Sequence, residues 1–206
     1  MKYLIYLVFL FSNLSCSPLL KYSQSNRQFQ EEVSLLESLD FEEKAGEEDV
    51  LFIGSSSIRL WKSIKQDLYP YEPIKRGYGG ARYSDLIHFT ERLVSPHKVK
   101  AVGIFVANDI TGGMNDLSPK EVLDLAKFIV KKIQKSHKNK PIFFIETTPT
   151  SKRWKVWDKI SKANDLIKDF SSNNRNIFHL FFRHFFVIVK YTYYFYIFFF
   201  FKIYIF

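Results

Sequence analysis

Apolar residues along the chain occur either in short continuous runs or at helical spacing, and each pattern predicts a type of element. Short apolar runs predict buried strands at residues 49–53, around Ile74, at 100–106 and at 142–145. Apolar residues at helical spacing predict helices over residues 27–44, 58–68, 83–93 and 154–170, and another that begins at the capping sequence Ser118-Pro119-Lys120-Glu121. Because strands and helices alternate, the pattern predicts an α/β fold with a parallel sheet and helices on both faces.

Residues that could bind a ligand or catalyse a reaction are sought directly after each predicted strand, because parallel sheets bind ligands beyond the carboxyl ends of their strands. After the first strand, Gly54-Ser55-Ser56-Ser57 places a hydroxyl and free backbone amides at the start of a helix. This arrangement suits a nucleophile or an anion site, or only a serine that caps the helix. The α/β-hydrolase pattern Gly-x-Ser-x-Gly is not met, because Ile58 replaces the last glycine.

The second and third strands are followed by a glycine cluster and by an asparagine. Gly77, Gly79 and Gly80 allow the backbone to approach a ligand and offer an amide to a developing negative charge. Beyond the third strand, the Asn108 amide can donate to an oxyanion and Asp109 can fix the loop. Taken alone, a glycine-rich turn and an Asn-Asp pair are also common features of ordinary turns.

In their order and spacing, these segments resemble the SGNH (GDSL-like) hydrolase family. Residues 52–61 look like its first block, in the subgroup where Gly-Asp-Ser reads Gly-Ser-Ser. Residues 76–80 look like its second block, led here by Lys75 where asparagine is usual, and residues 107–110 look like its third. Val106 stands where that third block has glycine, and Thr148-Pro149-Thr150 with Arg153 matches a further stretch of the subgroup. The resemblance covers roughly residues 30–176.

The resemblance implies a fold, a reaction and a set of site residues. The fold is a three-layer, flavodoxin-like α/β/α sandwich with a five-stranded parallel sheet, and the reaction is hydrolysis of carboxylic esters through an acyl-enzyme, without metal or cofactor. Ser56 is the implied nucleophile, and the amides of Ser56 and Gly80 with the side chain of Asn108 form the implied oxyanion hole. Short esters, acylated glycans and phospholipid acyl groups all remain open as substrates.

The last block of the family, Asp-x-x-His near the C-terminus, is not found in the sequence. The serine needs that histidine as a base and the acid to orient it. No aspartate follows Asp169, and His179 and His184 are the only late histidines. The other histidines are expected at the surface: His88, His97 and His137. The sequence therefore predicts a fold that is incomplete at its C-terminus and an esterase that is inactive as written, or alternatively a non-catalytic, lipid-anchored ligand-binding remnant.

Residues 177–206 are interpreted as an aberrant, aromatic-rich tail. From Lys190 onward, every residue except Thr192 is Lys, Tyr, Phe or Ile, which can all be encoded with A and T alone. This composition favours a frameshift or truncation near Asn176; the alternatives are a C-terminal membrane helix and a tail buried in the core. Lys190 and Lys202 enclose 11 uncharged residues, fewer than the roughly 20 that span a bilayer.

The N-terminus has the pattern of a targeting segment. A basic start is followed by an apolar run over residues 3–11 and by Cys16. This resembles a bacterial lipoprotein signal, cleaved before a cysteine that is then lipidated, with Asn13 where an aliphatic residue is usual. Such a protein is exported and held at a membrane surface, with residues 17–28 as a tether before a domain over residues 29–176. An ordinary secretory signal and an uncleaved anchor are the alternatives.

Length, charge and cysteine content limit which kinds of partner and which kinds of metal site the chain could have. A length of 206 residues is enough for one domain with a hydrophobic core. The net charge is +9, but lysine and arginine are interspersed with acidic residues, so no nucleic-acid partner is predicted. Cys16 is the only cysteine, which excludes an intramolecular disulfide and a cysteine-based metal site.

Overall fold

The computed structural model describes residues 17–43 and 46–180. In this part of the chain, five strands form one parallel sheet in the order β2-β1-β3-β4-β5. They are β1 Val50–Gly54, β2 Pro73–Gly77, β3 Ala101–Phe105, β4 Ile142–Ile145 and β5 Ile177–Leu180. Because the strands are parallel, the segments after β1, β2, β3 and β4 all leave the sheet at one edge, called the carboxyl edge below.

Helices fill the connections between the strands, as predicted. The α-helices of the described residues are α1 Pro18–Lys21, α2 Gln30–Ser38, α3 Ser56–Arg59, α4 Ile64–Asp67, α5 Tyr83–Val94, α6 Pro119–Ser136 and α7 Trp157–Ser172. Short 3₁₀ helices lie at Arg27–Phe29, Leu39–Phe41 and Ser151–Val156. The start of α6 has the predicted capping box, in which Glu121 N donates to Ser118 Oγ over 3.2 Å and Ser118 N donates to Glu121 Oε2 over 2.9 Å. Within the described ranges, no helix is both long and apolar enough to cross a bilayer.

Apolar clusters on the two faces of the sheet account for its three layers. One cluster joins the sheet to α2, α5, α6 and α7, and includes Val33, Leu86, Ile129 and Ile167. The other joins it to the α3–α4 segment through Ile58, Trp61 and Ile64. The strands read as continuous apolar runs because both of their faces are covered. The predicted three-layer α/β/α fold with a five-stranded parallel sheet is confirmed.

The single helix predicted over residues 58–68 was wrong. The chain forms the two short helices α3 and α4, with a turn between them that directs Trp61 into the core, where it is 1% exposed. Trp61 Nε1 and Ser63 Oγ both donate to Asp67 Oδ2 over 2.6 Å. This shared acceptor stabilises the turn in place of helical backbone bonds.

The fifth strand lies beyond residue 176, the expected end of the domain. β5 pairs with β4 from Ile142↔Ile177 to Ile145↔Leu180, and both Ile177 and Leu180 are buried. The sheet therefore includes the first residues of the segment interpreted as a tail. The rest of that tail, including His184, and the N-terminal segment with Cys16 lie outside the described residues.

Residues 17–28, expected to act as a tether, contact the domain. Lys21 Nζ donates to Glu121 Oε1 over 2.6 Å, and Ser25 Oγ donates to the Ser84 carbonyl over 2.8 Å. Leu19 and Tyr22 pack against the larger apolar cluster. This segment therefore lies against the first turns of α5 and α6, next to the carboxyl edge.

Candidate active site

Gly54, the last residue of β1, sets the path of the chain into the candidate site. Its φ is +132°, and an added Cβ would lie 2.0 Å from the carbonyl oxygen of Phe105, so no side chain fits there. Ser55 N donates to that same Phe105 carbonyl over 2.8 Å, and Tyr78 N donates to the Gly54 carbonyl over 2.9 Å. The two neighbouring strands therefore fix the serine-bearing turn from both sides.

The serine turn forms one wall of a cleft at the carboxyl edge. Ser55 is buried, while Ser56, the predicted nucleophile, is half-buried and is the first residue of α3. The cleft has a volume of about 200 Å³. Its lining comprises Ser55, Ser56, Ser57, Phe105, Ala107, Asn108, Thr147, Thr148, Thr150 and Arg153. Ser56 and Asn108, which the sequence places after different strands, thus lie in the same cleft.

Asn108 is held in one orientation by partners at both ends of its amide. Its Nδ2 donates to the Ala81 carbonyl over 3.0 Å, and its Oδ1 accepts from Arg153 Nη2 over 2.7 Å. A primary amide carries two N–H groups. Since only one of them is used by Ala81, the other remains available to a ligand in the cleft.

Arg153 anchors Asn108 and also brings a positive charge to the cleft. Its Nη1 donates to the Ala107 carbonyl, next to Asn108. In the described part of the chain, no carboxylate forms an ion pair with its half-buried guanidinium. Burial lowers the pKa of Arg153, against the more distant charges of Asp116 and Asp109. The sequence marked Arg153 only as part of a motif, because its contact with Asn108 spans 45 residues and leaves no local pattern.

Asp109 fixes the loop after β3, as the sequence predicted. Both of its carboxylate oxygens accept from Tyr83 N over 3.0 Å, and its carbonyl accepts from Leu117 N over 2.9 Å. Burial raises the pKa of Asp109 to about 7, although hydrogen bonds from backbone amides oppose the shift. Asp109 therefore links the Asn108 loop to the start of α5.

Gly80, the predicted oxyanion glycine, lies in the turn after β2. Its φ is +74°, and no atom lies within 4 Å of the position that a Cβ would take. The backbone conformation, rather than crowding, therefore favours glycine here. Gly80 is not among the residues that line the cleft. Its turn is nevertheless joined to the site, because the neighbouring Ala81 accepts the hydrogen bond from Asn108.

No histidine within the described ranges lines the cleft. His179, on β5, lines a cavity of about 30 Å³ between the sheet and α6–α7, which also contacts Asp109, Thr147 and Asn164. His88 is half-buried on α5, with Nε2 at 3.0 Å from the Tyr22 carbonyl. The described residues also contain no group of three or more His, Cys, Asp or Glu side chains that could hold a metal ion.

The expectation that His97 and His137 lie at the surface was wrong. Both are buried, because the chain that follows α5 packs against the end of α6. His137 Nε2 lies 2.8 Å from the His97 carbonyl, and His97 Nε2 lies 3.2 Å from Asp40 Oδ1. Burial lowers the pKa of both imidazoles. They precede β3 and β4, at the end of the sheet opposite the cleft.

The strand order and the three layers define the flavodoxin-like α/β/α fold of the SGNH hydrolases. A Streptococcus pneumonia protein assigned as a platelet activating factor shares this fold at 18% identity, with a TM-score of 0.62 over 76% of each chain. A Bacteroides fragilis protein assigned as an acylhydrolase is 20% identical, with a TM-score of 0.56 over 75% of this chain and 76% of that one. A GDSL-like lipase from Bacteroides thetaiotaomicron is 16% identical, with a TM-score of 0.54 over 76% and 77%.

At these identities the likeness is one of fold. No protein-family model and no curated protein matches the chain.

Proposed function

We propose that this domain is an SGNH-type serine hydrolase scaffold that acts on carboxylic esters through Ser56. The observation that carries the proposal is the shared cleft, in which Ser56 and the fixed amide of Asn108 lie together. The ordered sequence blocks around Ser56, Gly80 and Asn108 support it, as does the fold shared with a GDSL-like lipase and an assigned acylhydrolase.

In the proposed reaction, Ser56 Oγ bonds to the carbonyl carbon of the ester, the alcohol leaves, and water releases the acid from the acyl-enzyme. The negative charge on the carbonyl oxygen is bound by the Ser56 amide and Asn108 Nδ2, and by the Gly80 amide, whose turn would have to face the cleft when the ester is bound. Each such donor is worth on the order of 3 kcal/mol. Arg153 acts as a positioning residue, because its bond to Oδ1 prevents the Asn108 amide from turning its oxygen toward the oxyanion.

The size of the cleft favours a short acyl group. Its volume of about 200 Å³ is smaller than the roughly 300–1,000 Å³ of pockets that enclose drug-sized ligands. Three threonines line it, Thr147, Thr148 and Thr150, and their methyl and hydroxyl groups suit a small ester better than a long alkyl chain.

A second candidate function rests on the histidines. Ser56 needs a base to accept its proton, and no histidine of the described residues lines the cleft. Loss of one triad member typically removes several orders of magnitude of rate. The alternative is therefore a domain that binds an ester or an acylated glycan in this cleft without turnover.

The proposed location is a membrane surface after export, with a lipid on Cys16. The apolar run over residues 3–11 and the cysteine that follows it support this location. Mass spectrometry of the mature N-terminus tests it, and a mature chain with an unmodified Cys16 would contradict it.

Intact-mass spectrometry after exposure to p-nitrophenyl acetate tests the nucleophile. We expect the full chain to gain one acetyl group on Ser56, and the Ser56→Ala variant to gain none at the same site. Ser57→Ala is the matched control, because Ser57 is the adjacent serine of the same cleft, and it should acetylate like the parent chain. Equal acetylation of parent and Ser56→Ala would exclude Ser56 as the nucleophile.

Release of p-nitrophenol then separates the two candidate functions. Continuous turnover that Ser56→Ala abolishes supports the hydrolase. Acetylation that stops after one equivalent shows that the nucleophile is present without an effective base. The binding domain is supported if the chain is not acetylated but binds acetate or an acetylated glycan, and if the Ser56→Ala variant binds that ligand equally well.

A further inference from the structure

Large apolar side chains are exposed beside the cleft at the carboxyl edge. Trp154 is 65% exposed in the 3₁₀ helix Ser151–Val156, next to Arg153, which lines the cleft. Met114 is fully exposed in the loop after β3. The two segments adjoin, because a Cβ on Gly112 would lie 3.8 Å from Val156 Cγ1. The adjoining segments therefore form a rim beside the cleft that exposes both Trp154 and Met114.

The same rim carries positive charge. Lys152 and Lys155 flank Trp154, both are exposed, and neither forms an ion pair with a described residue. Asp116 on the adjoining loop is occupied, since its Oδ2 accepts from the backbone amides of Thr111 and Gly112. Asp158, in the first turn of α7, is the exposed acidic neighbour that offsets part of the charge.

The N-terminal segment reaches the domain at this same edge. Contacts of Lys21 with Glu121 and of Ser25 with Ser84 hold it against the first turns of α6 and α5. Leu20, on the outer side of α1, is 70% exposed. Cys16 directly precedes this segment in the sequence. A lipid on Cys16, as proposed above, therefore holds the membrane close to the carboxyl edge.

We propose that the carboxyl edge docks on an anionic lipid bilayer, with Trp154, Met114 and Leu20 in the interface and Lys152 and Lys155 against the lipid headgroups. Tryptophan prefers the boundary between hydrocarbon and water, and lysines are attracted to anionic headgroups. The cleft then opens toward the bilayer surface. This inference does not rest on ester hydrolysis, because it concerns the rim and not Ser56.

Quenching of tryptophan fluorescence by brominated lipids tests the docking. The full chain with Trp157→Phe leaves Trp154 as the exposed reporter, since Trp61 is buried and 1% exposed. Vesicles contain brominated phosphatidylcholine, either alone or mixed with phosphatidylglycerol. We expect Trp154 to be quenched by a substantial fraction, and more strongly when phosphatidylglycerol is present. Lys152→Gln with Lys155→Gln should remove this dependence on the anionic lipid.

A matched reporter at the opposite end of the sheet supplies the control. Tyr69 is 74% exposed shortly before β2 starts, so Tyr69→Trp in a chain with Trp154→Phe and Trp157→Phe places an aromatic reporter far from the cleft. The chain without either reporter gives the Trp61 background, and near-ultraviolet circular dichroism confirms that each variant is folded.

The comparison of the two reporters decides the orientation. Quenching at Trp154 that clearly exceeds quenching of the Tyr69→Trp reporter supports docking through the carboxyl edge. Equal quenching, stronger quenching of the Tyr69→Trp reporter, or none at Trp154 would each overturn the proposal. Quenching at Trp154 that does not respond to phosphatidylglycerol or to the lysine changes would refute the role of the charges.

Discussion

Two arginines in this molecule, one buried and one half-buried, are held in opposite ways. Arg76 on β2 has a side chain that is 1% exposed, and its guanidinium donates to Asp40 Oδ1 over 2.5 and 3.0 Å and to Glu43 Oε2 over 2.7 Å. Arg153 at the cleft donates to a backbone carbonyl and to the amide oxygen of Asn108. One arginine is neutralised by carboxylates, whereas the other is held by neutral acceptors.

The difference separates an ion pair that is complete within the protein from a guanidinium that only neutral acceptors hold. Arg76 ties β2 to the 3₁₀ helix Leu39–Phe41 and satisfies its charge within the protein. Arg153 is held by two hydrogen bonds, and its charge is not cancelled by a described carboxylate. Such an arrangement suits the proposed reaction, because preorganised charges and dipoles stabilise negative charge that develops in a transition state.

The largest effect on stability is expected from Arg76→Met. Removal of one partner of a buried ion pair typically costs about 3–5 kcal/mol, and we expect about 3 kcal/mol because Glu43 is half exposed and can be hydrated. Urea unfolding monitored by tryptophan fluorescence measures the loss. A change below that of Arg153→Met would show that the Asp40–Arg76–Glu43 cluster does not stabilise the fold.

Asp109→Asn is expected to change how stability depends on pH. Burial raises the pKa of Asp109 to about 7 in the folded protein, from an ordinary value of 3.8. The folded state therefore holds this proton more tightly, and its stabilising effect is complete below about pH 4 and lost as the pH rises through about 7. Asparagine does not ionise, so the stability of the variant relative to the parent should rise by about 2–3 kcal/mol between about pH 5 and about pH 8.

Urea titrations at about pH 5 and about pH 8 measure this gain. Asp116→Asn serves as a control of opposite sign. Burial alone would raise the pKa of Asp116, but hydrogen bonds from Thr111 and Gly112 lower it overall. The Asp116→Asn variant should therefore lose about the same stability relative to the parent at about pH 5 and about pH 8, and the difference should shrink only in a further titration below about pH 4. A gain for Asp109→Asn that is independent of pH would contradict the assigned titration.

The smallest effect on stability is expected from Arg153→Met, about 1 kcal/mol, because two hydrogen bonds to neutral acceptors are lost. The same substitution should have a clear effect on the rate at which Ser56 is acetylated. Acetylation of Ser56 by p-nitrophenyl acetate should slow by about 10–100-fold, since Asn108 is no longer oriented. Arg59→Met is the matched control, because Arg59 is a partly exposed arginine of α3 that pairs with Glu32. Equal slowing by both changes would refute a positioning role for Arg153.

The sequence predicted the parts of the site that depend on strand ends. Buried strands are short apolar runs, so the positions of Gly54, Ser56 and Asn108 followed from where each run stops. The role of Asp109 in the loop was also predicted, because an Asn-Asp pair after a strand commonly fixes a turn. These inferences use neighbours in the chain, and local physics is enough for them.

Other features could not be read from local patterns. The partners of Arg76 lie 36 and 33 residues earlier in the chain, and the strand sequence, in which Lys75 precedes Arg76, does not show which of the two is buried. His97 and His137 were expected at the surface because each sits beside a helix end, and their burial depends on how two helices pack. β5 was missed because its four residues precede an unusual segment that dominated the composition of the region.

The order of the strands has a consequence for synthesis. β1 is flanked by β2 and β3, so β1 has both of its neighbours once residue 105 has been made. β4 and β5 then add to the β3 side of the sheet, in the order in which they are synthesised. A change of sequence beyond β5 would therefore meet the sheet beside its last-made strand, while β1 and β3, which precede Ser56 and Asn108, keep both of their neighbours.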